Sequence, residues 1–452
     1  MRGALMQDLA TTERKRVLIL GGGFAGLNVA KGLADAPVDL TLVDRKNHHT
    51  FQPLLYQVAL AVLSPADIAQ PIRAILRSPN TEVLMDEVIS VDKEARRAML
   101  KSGTVLKYDY LVMATGSTHS YFGRDDWAAL APGLKTIEDS LEIRRRVLLA
   151  FELAENEMQE TGQHPELNFV IIGGGPTGVE LAGSISDIAK LYMKSDFKHI
   201  NPSTAKVTIL EGSPHVLGMY PEDLQKRALE QLAGLGVNVR TNAHVTEVKP
   251  GYVMVGDEKI DSVVTLWAAG VQASPLGKLL GVETDRRGCV VVDGYLHPAG
   301  HEEIFICGDL AHVEIDGKQV PGVAQPAMQM GTYTAESIKH LLRGERIKKT
   351  FHYFDKGDMA TIGRKAAVAR VVWPFKADLS GFPAWIAWLI VHIFFLIGFR
   401  NRLSVFRSWA YTYLFFEEGA RLITGSQQLP GWQTHEAVAV PAEDSAEASI
   451  KP

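Results

Sequence analysis

The chain has 452 residues, 46% of them hydrophobic and 22% charged, enough for about three domains with cores of their own. A formal net charge of −5 excludes a protein that grips nucleic acid through many phosphate contacts. Two cysteines, Cys289 and Cys307, stand at no metal-ligand spacing. That excludes a disulfide framework and a cysteine-based zinc or iron–sulfur centre, and suits a reducing compartment.

The opening MRGALMQDLATTERKR lacks an apolar segment of signal-peptide length and reads as a short floppy leader, which leaves the folded body in the cytoplasm. A buried-strand run, Val17 to Leu20, leads into the pattern G-x-G-x-x-G at Gly21, Gly23 and Gly26. A helical pattern and a second strand, Val38 to Val43, follow and end on Asp44, 18 residues after Gly26. Strand, helix and terminal acid in register make a βαβ dinucleotide fingerprint rather than a ligand-free turn. Gly21 allows the tight turn, Gly23 lets backbone amides approach a pyrophosphate, and Gly26 lets the helix pack on the strand. The helix N-terminus favours phosphate, and Asp44 suits a ribose.

Arg45 to Tyr56 reads as a loop wrapping the far end of that nucleotide. His48 and His49 in it are read as loop or capping residues, since no third ligand lies nearby. The runs Glu82 to Met85, Val88 to Val91 and Arg97 to Leu100 predict a small antiparallel sheet. Tyr108 to Met113 is an apolar strand ending in Ala114-Thr115-Gly116, where small residues let backbone pass close to a cofactor and mark a domain crossover.

From Asn168 the opening pattern repeats. Phe169 to Ile172 leads to Gly173-Gly174-Gly175-Pro176-Thr177-Gly178, a helix, and a strand from Lys206 to Leu210 ending at Glu211. The 33 residues from Gly178 to Glu211 are more than usual, and the helix plus the turn at Asn201 to Ser203 absorbs them. A carboxylate at position 211 favours the free ribose hydroxyls of NADH and repels the extra phosphate of NADPH, so NADH is the expected donor. Val263 to Trp267 closes this second fold on Ala268-Ala269-Gly270. Glu303 to Cys307 is a returning strand followed by Gly308-Asp309, with Asp309 placed to hydrogen-bond a flavin. Cys307 and Cys289 are expected to be inert core residues.

Gln325 and Gln329, four apart, share one helix face. Pro326 suits the first helical position, which aims the helix N-terminus at whatever precedes it. Beyond a predicted strand at Phe351 to Phe354, the stretch FPAWIAWLIVHIFFLIGF (Phe382 to Phe399) runs 18 residues without a formal charge, with Arg400, Arg402 and Arg407 close behind. As a helix it would be about 27 Å long, just short of a comfortable span. A second apolar stretch, Leu403 to Phe416, follows. A span, a soluble-core helix and a dimer-interface helix all remain open for these stretches, and the arginines suit anionic headgroups. The Ala-, Glu- and Ser-rich stretch 436–452 reads as disordered.

Two nucleotide folds, one inside the other, with Ala114-Thr115-Gly116 and Gly308-Asp309 turns, resemble the two-dinucleotide flavoprotein reductases from about Arg16 to Leu342. FQPLLYQVA (Phe51 to Ala59), GPTGVELAG (Gly175 to Gly183), AQPAMQ (Ala324 to Gln329) and the apolar extension narrow the likeness. Together they resemble the type II NADH:quinone oxidoreductases, up to about Gly425. The resemblance implies an α/β fold of two Rossmann-like domains: an FAD domain, 13–128 and 272–345, holding an inserted NADH domain, 129–271. A membrane-associated region, 346–425, would follow.

It further implies hydride transfer from NADH to non-covalent FAD. Two-electron reduction of a membrane ubiquinone or menaquinone follows, without proton pumping. The enzyme would be a homodimer on the cytoplasmic side of the inner membrane, anchored through 382–416. Motifs and resemblance together assign Gly21, Gly23, Phe24, Ala25, Gly26, Asp44, Arg45, Ala114, Thr115, Gly116, Asp309, Ala324 and Gln325 to FAD. They assign Gly173, Gly175, Pro176, Thr177, Gly178, Glu180, Glu211, Ala269 and Gly270 to NADH. Gln325 and Gln329 would orient the quinone, and Glu180, a partly buried carboxylate expected at the start of its helix, would carry its proton or only position nicotinamide. The rival readings are a flavin reductase for a ferredoxin or sulfide, and a non-catalytic flavin and NADH sensor.

Overall fold

The computed structural model describes residues 14–374, 376–415 and 420–432, so the expected leader up to residue 13 and the expected tail at 436–452 lie outside the described residues. The strand Lys15–Leu20, whose apolar run is buried on both faces, is the centre of a five-stranded parallel sheet. It lies between Val38–Asp44 and Tyr110–Met113, with Val17 opposite both Leu40 and Tyr110. Ile304–Ile306 completes one side and Thr81–Met85 the other. Helix α1 (Phe24–Gly32) follows the first glycine loop, and the short α2 (Leu55–Ala59) follows the loop after Asp44. The expectation for Glu82 to Met85 is corrected here: its Val83 is buried against the main sheet, so it pairs with Val38–Asp44. The small antiparallel sheet consists instead of Val88–Asp92, Arg97–Leu100 and Val105–Lys107.

Helix α3 (Ile137–Thr161) has no counterpart in the sequence reading. Thr136 caps it by accepting from the Asp139 amide, and Gly162 ends it in the left-handed conformation. Its buried Ile143, Val147, Phe151 and Ala154 keep helical spacing. Next comes a second parallel sheet, ordered Val237–Arg240, Lys206–Leu210, Asn168–Ile172, Val264–Trp267, with α4 (Pro176–Asp187) after its glycine loop. It repeats the central three strands of the first sheet. The chain enters and leaves it side by side, since Ser117–His119 pairs antiparallel with Val271–Ala273.

Helix α5 (Ala324–Leu342) lies against α1 with almost no gap. A Cβ on Gly331 would sit 2.4 Å from the Ala25 carbonyl, and one on Gly32 would sit 2.5 Å from the Ala335 Cβ. The expected strand at Phe351 to Phe354 does not form. Its backbone is held by the Gly294 carbonyl at Phe351 and by the Gln329 side chain at Phe354, so no ladder partner is needed. Three antiparallel strands follow, Gly357–Thr361, Ala367–Val371 and Ala377–Ser380.

The apolar stretch expected as one helix is divided. Helix α6 (Phe382–Phe395) stops at Leu396, which turns extended, and α7 (Phe399–Phe415) starts after Gly398. Among the described residues no helix is long and apolar enough to cross a membrane, which overturns the single-span alternative. Trp388, Val405 and Trp409 join the hydrophobic cluster that also holds α2, α3 and α4. These C-terminal helices are therefore bound to the nucleotide folds through one core.

Candidate active site

The two glycine loops are built alike. Gly21 and Gly173 sit at φ of +102° and +108°, where a side chain would strain the backbone. A Cβ on Gly21 would strike the Ala114 carbonyl at 2.4 Å, and one on Gly173 the Ala268 carbonyl carbon at 2.5 Å. The small residues after both crossover strands are thus steric partners of the first glycine. A Cβ on Gly26 or Gly178 would lie 1.9 Å from the carbonyl of that first glycine. Around Gly23 and Gly175, by contrast, a Cβ would meet no protein atom within 4 Å. The middle glycine faces open space in each loop, as close approach of a pyrophosphate to the backbone would require.

The terminal acids also match. Asp44 accepts from the Gly22 amide at 2.6 Å and the Lys46 amide at 2.7 Å. Glu211 accepts from the Gly174 amide at 2.5 Å and the Ser213 amide at 2.7 Å. Each carboxylate ties the end of the second strand to its glycine loop. Pro176 takes the first position of α4, where a missing N–H costs nothing. Phe24 packs edge-on against His49 and Phe51. His49 is not a surface residue. Burial holds its imidazole down to about 4, and Nδ1 donates to the Gly22 carbonyl beneath the loop. Arg45 is exposed and pairs with Glu87.

Asp309 follows the returning strand, beside Ala114-Thr115-Gly116. It accepts from the Ser117 hydroxyl at 2.6 Å and pairs with Lys135 at 3.6 Å, two partners the sequence reading missed. Both cysteines are buried thiols, pushed up by burial to about 11 at Cys289 and about 12 at Cys307.

Helix α5 begins at Ala324, so Pro326 is its third residue and not the expected first. It still falls in the first turn, where N–H groups lack intrahelical partners, so its missing N–H leaves no bond unmade. Gln325 donates to the Gly357 carbonyl at 3.0 Å, which leaves its Oε1 buried without a hydrogen bond. The Thr115 hydroxyl is likewise buried without a partner. Buried polar atoms rarely stay unsatisfied, and both atoms have hydrogen-bonding capacity that a bound group would take up. Gln329 is occupied differently: both ends of its amide grip the Phe354 backbone at 2.9 Å.

Glu180 is the fifth residue of α4 rather than its start. Burial pushes its carboxyl up to about 8, against a hydrogen bond from the Thr361 backbone. Beside it runs a chain that sequence order hides. The Tyr56 hydroxyl is 2.8 Å from Thr361 Oγ1, Gln57 donates to Tyr56 at 3.1 Å, and Trp409 donates to Gln57 at 2.7 Å. Arg144 of α3 fixes α2 from behind by donating to the Val58 and Leu63 carbonyls. The strand Gly357–Thr361 therefore joins the two candidate groups, with Gln325 at its first residue and Glu180 at its last.

Comparison with known proteins decides what this arrangement is. The pyridine nucleotide-disulphide oxidoreductase family model matches residues 15–331, and the NDH2 C-terminal domain model matches 356–416. The type II NADH:quinone oxidoreductase NdhA of Mycobacterium tuberculosis is 42% identical over 432 residues, 92% of this chain and 90% of that one. This chain belongs to the type II NADH:quinone oxidoreductases. A second relative from the same organism, Ndh, is 41% identical and covers 92% of this chain and 91% of its own. The fold matches that of NDH2 from Plasmodium falciparum in complex with NADH, at a TM-score of 0.80 and 21% identity, covering 91% of this chain and all of that one. The family's cofactors are FAD and NADH. The open middle glycines and the orphaned Thr115 and Gln325 atoms fit two nucleotides and a flavin.

Proposed function

We propose that the chain is an NADH:quinone oxidoreductase in which the first glycine loop, Asp44, Thr115, Asp309 and the start of α5 hold FAD, while the second loop and Glu211 hold NADH. Bound FAD supplies the redox chemistry, taking a hydride from NADH and passing two electrons to a quinone. The unsatisfied Gln325 Oε1, fixed in place by the bond to Gly357, is the observation that carries the reading. Glu180 serves as the proton donor to the quinone, because burial keeps it protonated at neutral pH. Gln329 acts as a clamp on the C-terminal segment. Two side-by-side crossover strands support an NADH unit at 129–271 set inside an FAD unit, 13–128 with 272–345.

Stopped-flow absorbance of the flavin tests the function directly. Prompt bleaching by NADH followed by prompt return on adding a short-chain quinone is the expected result. Bleaching without return to any quinone would favour a different acceptor. For the nucleotide, Glu211→Ala is expected to narrow the preference for NADH over NADPH, measured as kcat/KM, by roughly tenfold. Unchanged selectivity would move the ribose contact elsewhere.

The C-terminal helices support a membrane-surface reading. Phe382, Ile386, Ile390 and Phe394 recur every fourth residue on α6 and stay exposed, as do Phe399, Leu403 and Phe406 on α7. Exposed Arg400, Arg402 and Arg407 lie among them, suited to the anionic headgroups of a cytoplasmic leaflet. Replacing Phe394, Phe399 and Phe406 together by serine should weaken binding to anionic vesicles by roughly 10²–10³-fold while flavin content stays intact. Undiminished vesicle binding would locate the anchor elsewhere. The membrane side is where a lipid-soluble quinone would enter.

A further inference from the structure

Helix α4 carries a second acid. Glu180, Gly183, Ser184 and Asp187 fall on one helix face, with seven residues, or about 10.5 Å of rise, between the two acids. Gly183 is where this face meets the turn from Thr361 to Arg364, since a Cβ there would lie 2.5 Å from the Gly363 nitrogen. The acids hold the two ends of that turn: Glu180 accepts from the Thr361 backbone and Asp187 from the Arg364 backbone. Alongside runs a narrow cleft lined by Tyr56, Ser184, Asp187, Thr361, Arg364 and Tyr413 among others. Asp187 itself is only 6% exposed. The Tyr56–Thr361 hydroxyl pair connects the cleft to the residue that holds Glu180.

We propose that Asp187 and this cleft form the route by which solvent protons reach Glu180, entering at the end of α4 away from its glycine loop. The proposal rests on the role given to Glu180 above. NADH, one proton and quinone yield NAD⁺ and quinol, so each turnover draws one proton from solvent while NADH is oxidised and quinone reduced. Glu180 breaks its O–H bond to protonate the quinone oxygen. Asp187 then gives up its proton, which passes along hydroxyls and water in the cleft to Glu180, and solvent restores Asp187. Asp187 thus acts through Glu180 and touches no substrate.

The charges facing Asp187 are Arg364 from the turn and Lys190 from the continuation of its own helix; both favour its ionised form. Burial outweighs them and lifts its carboxyl to about 7. The hydroxyls of Tyr56 from α2, Tyr413 from α7 and Tyr192 share the cleft. A group that exchanges a proton near neutral pH and borders both cleft and turn is suited to relay.

The test uses the full-length, flavin-loaded protein. Asp187→Asn keeps a hydrogen-bond acceptor for the Arg364 backbone and loses only the titration. It should bleach with NADH at the wild-type rate, yet be reoxidised by a short-chain quinone at least about tenfold more slowly at pH 7. Asp187→Glu should restore the rate, and imidazole should partly rescue Asp187→Asn. The wild-type advantage should fade as pH rises past about 7, where Asp187 loses its proton.

A second reading is independent of turnover. The folded carboxyl titrates above its ordinary value of 3.8, so wild-type stability should fall from about pH 4 to about pH 7, and Asp187→Asn should flatten that slope. Superimposable pH–rate profiles for wild type and Asp187→Asn would overturn the proposal, as would equal slowing of both half-reactions. Should Asp187→Asn lose its flavin, Ser184→Leu narrows the cleft with the acid intact, and unslowed reoxidation in that variant would overturn the proposal. A wild type that no quinone reoxidises removes the function itself, and the relay with it.

Discussion

Glu180→Gln is expected to slow quinone-dependent reoxidation of the flavin by roughly 10²-fold or more, with bleaching by NADH almost unchanged. The glutamine still fills the site and still accepts from the Thr361 backbone, but it has no proton to give. Stopped-flow traces of the two half-reactions separate these effects. The wild-type rate should begin to fall past about pH 7, where Asp187 loses its proton, and fall further past about pH 8, where Glu180 loses its own, whereas the variant should lack that upper limb. Stability gives a second check. Because the folded carboxyl titrates near 8 rather than at its ordinary 4.5, the folded state holds its proton more tightly than the unfolded chain does. Stability conferred by the protonated acid is therefore complete at low pH and lost as pH rises towards 8. Glu180→Gln should flatten the melting temperature across that range. Equal slowing of bleaching and reoxidation would assign Glu180 to nicotinamide positioning.

What was legible in the sequence was what neighbours in sequence decide. Glycine spacing, the strand before it and the acid after the next strand are local, and the pairs Gly22–Asp44 and Gly174–Glu211 form as that pattern implies. The rest depends on contacts between distant residues. Tyr56 meets Thr361 across 305 positions, and Trp409 meets Gln57 across 352, so no window of sequence exposes the chain beside Glu180. Gln329 shares a helix face with Gln325, yet the segment expected as a strand at Phe351 to Phe354 claims its amide. Thr81–Met85 is as short a strand-like run as those after it, and only its pairing with Val38–Asp44 separates it from them. Helix α3 was readable and went unread. The box Thr136-x-x-Asp139 before Ile143, Val147 and Phe151 marks both its start and its buried face.

The glycine loops permit a sharper experiment, because their glycines serve different ends. Gly23 has an ordinary extended backbone, and a Cβ there meets no protein atom, so Gly23→Val should fold. Its two methyl groups instead occupy the space in which backbone amides must approach a pyrophosphate. The variant is expected as a soluble, colourless protein whose FAD affinity, read by flavin release on dilution, has fallen by at least roughly 10²-fold. Gly26→Val has the opposite fault. With a Cβ 1.9 Å from the Gly21 carbonyl, helix and strand must separate, and the chain should fail to reach a soluble fold. Gly175→Val completes the set: its site is as open as that of Gly23, but in the second loop. It should purify yellow, resist bleaching by NADH, and still be reoxidised by quinone after chemical reduction by dithionite. Loss of flavin in Gly175→Val, or its retention in Gly23→Val, would reverse the assignment of the two loops.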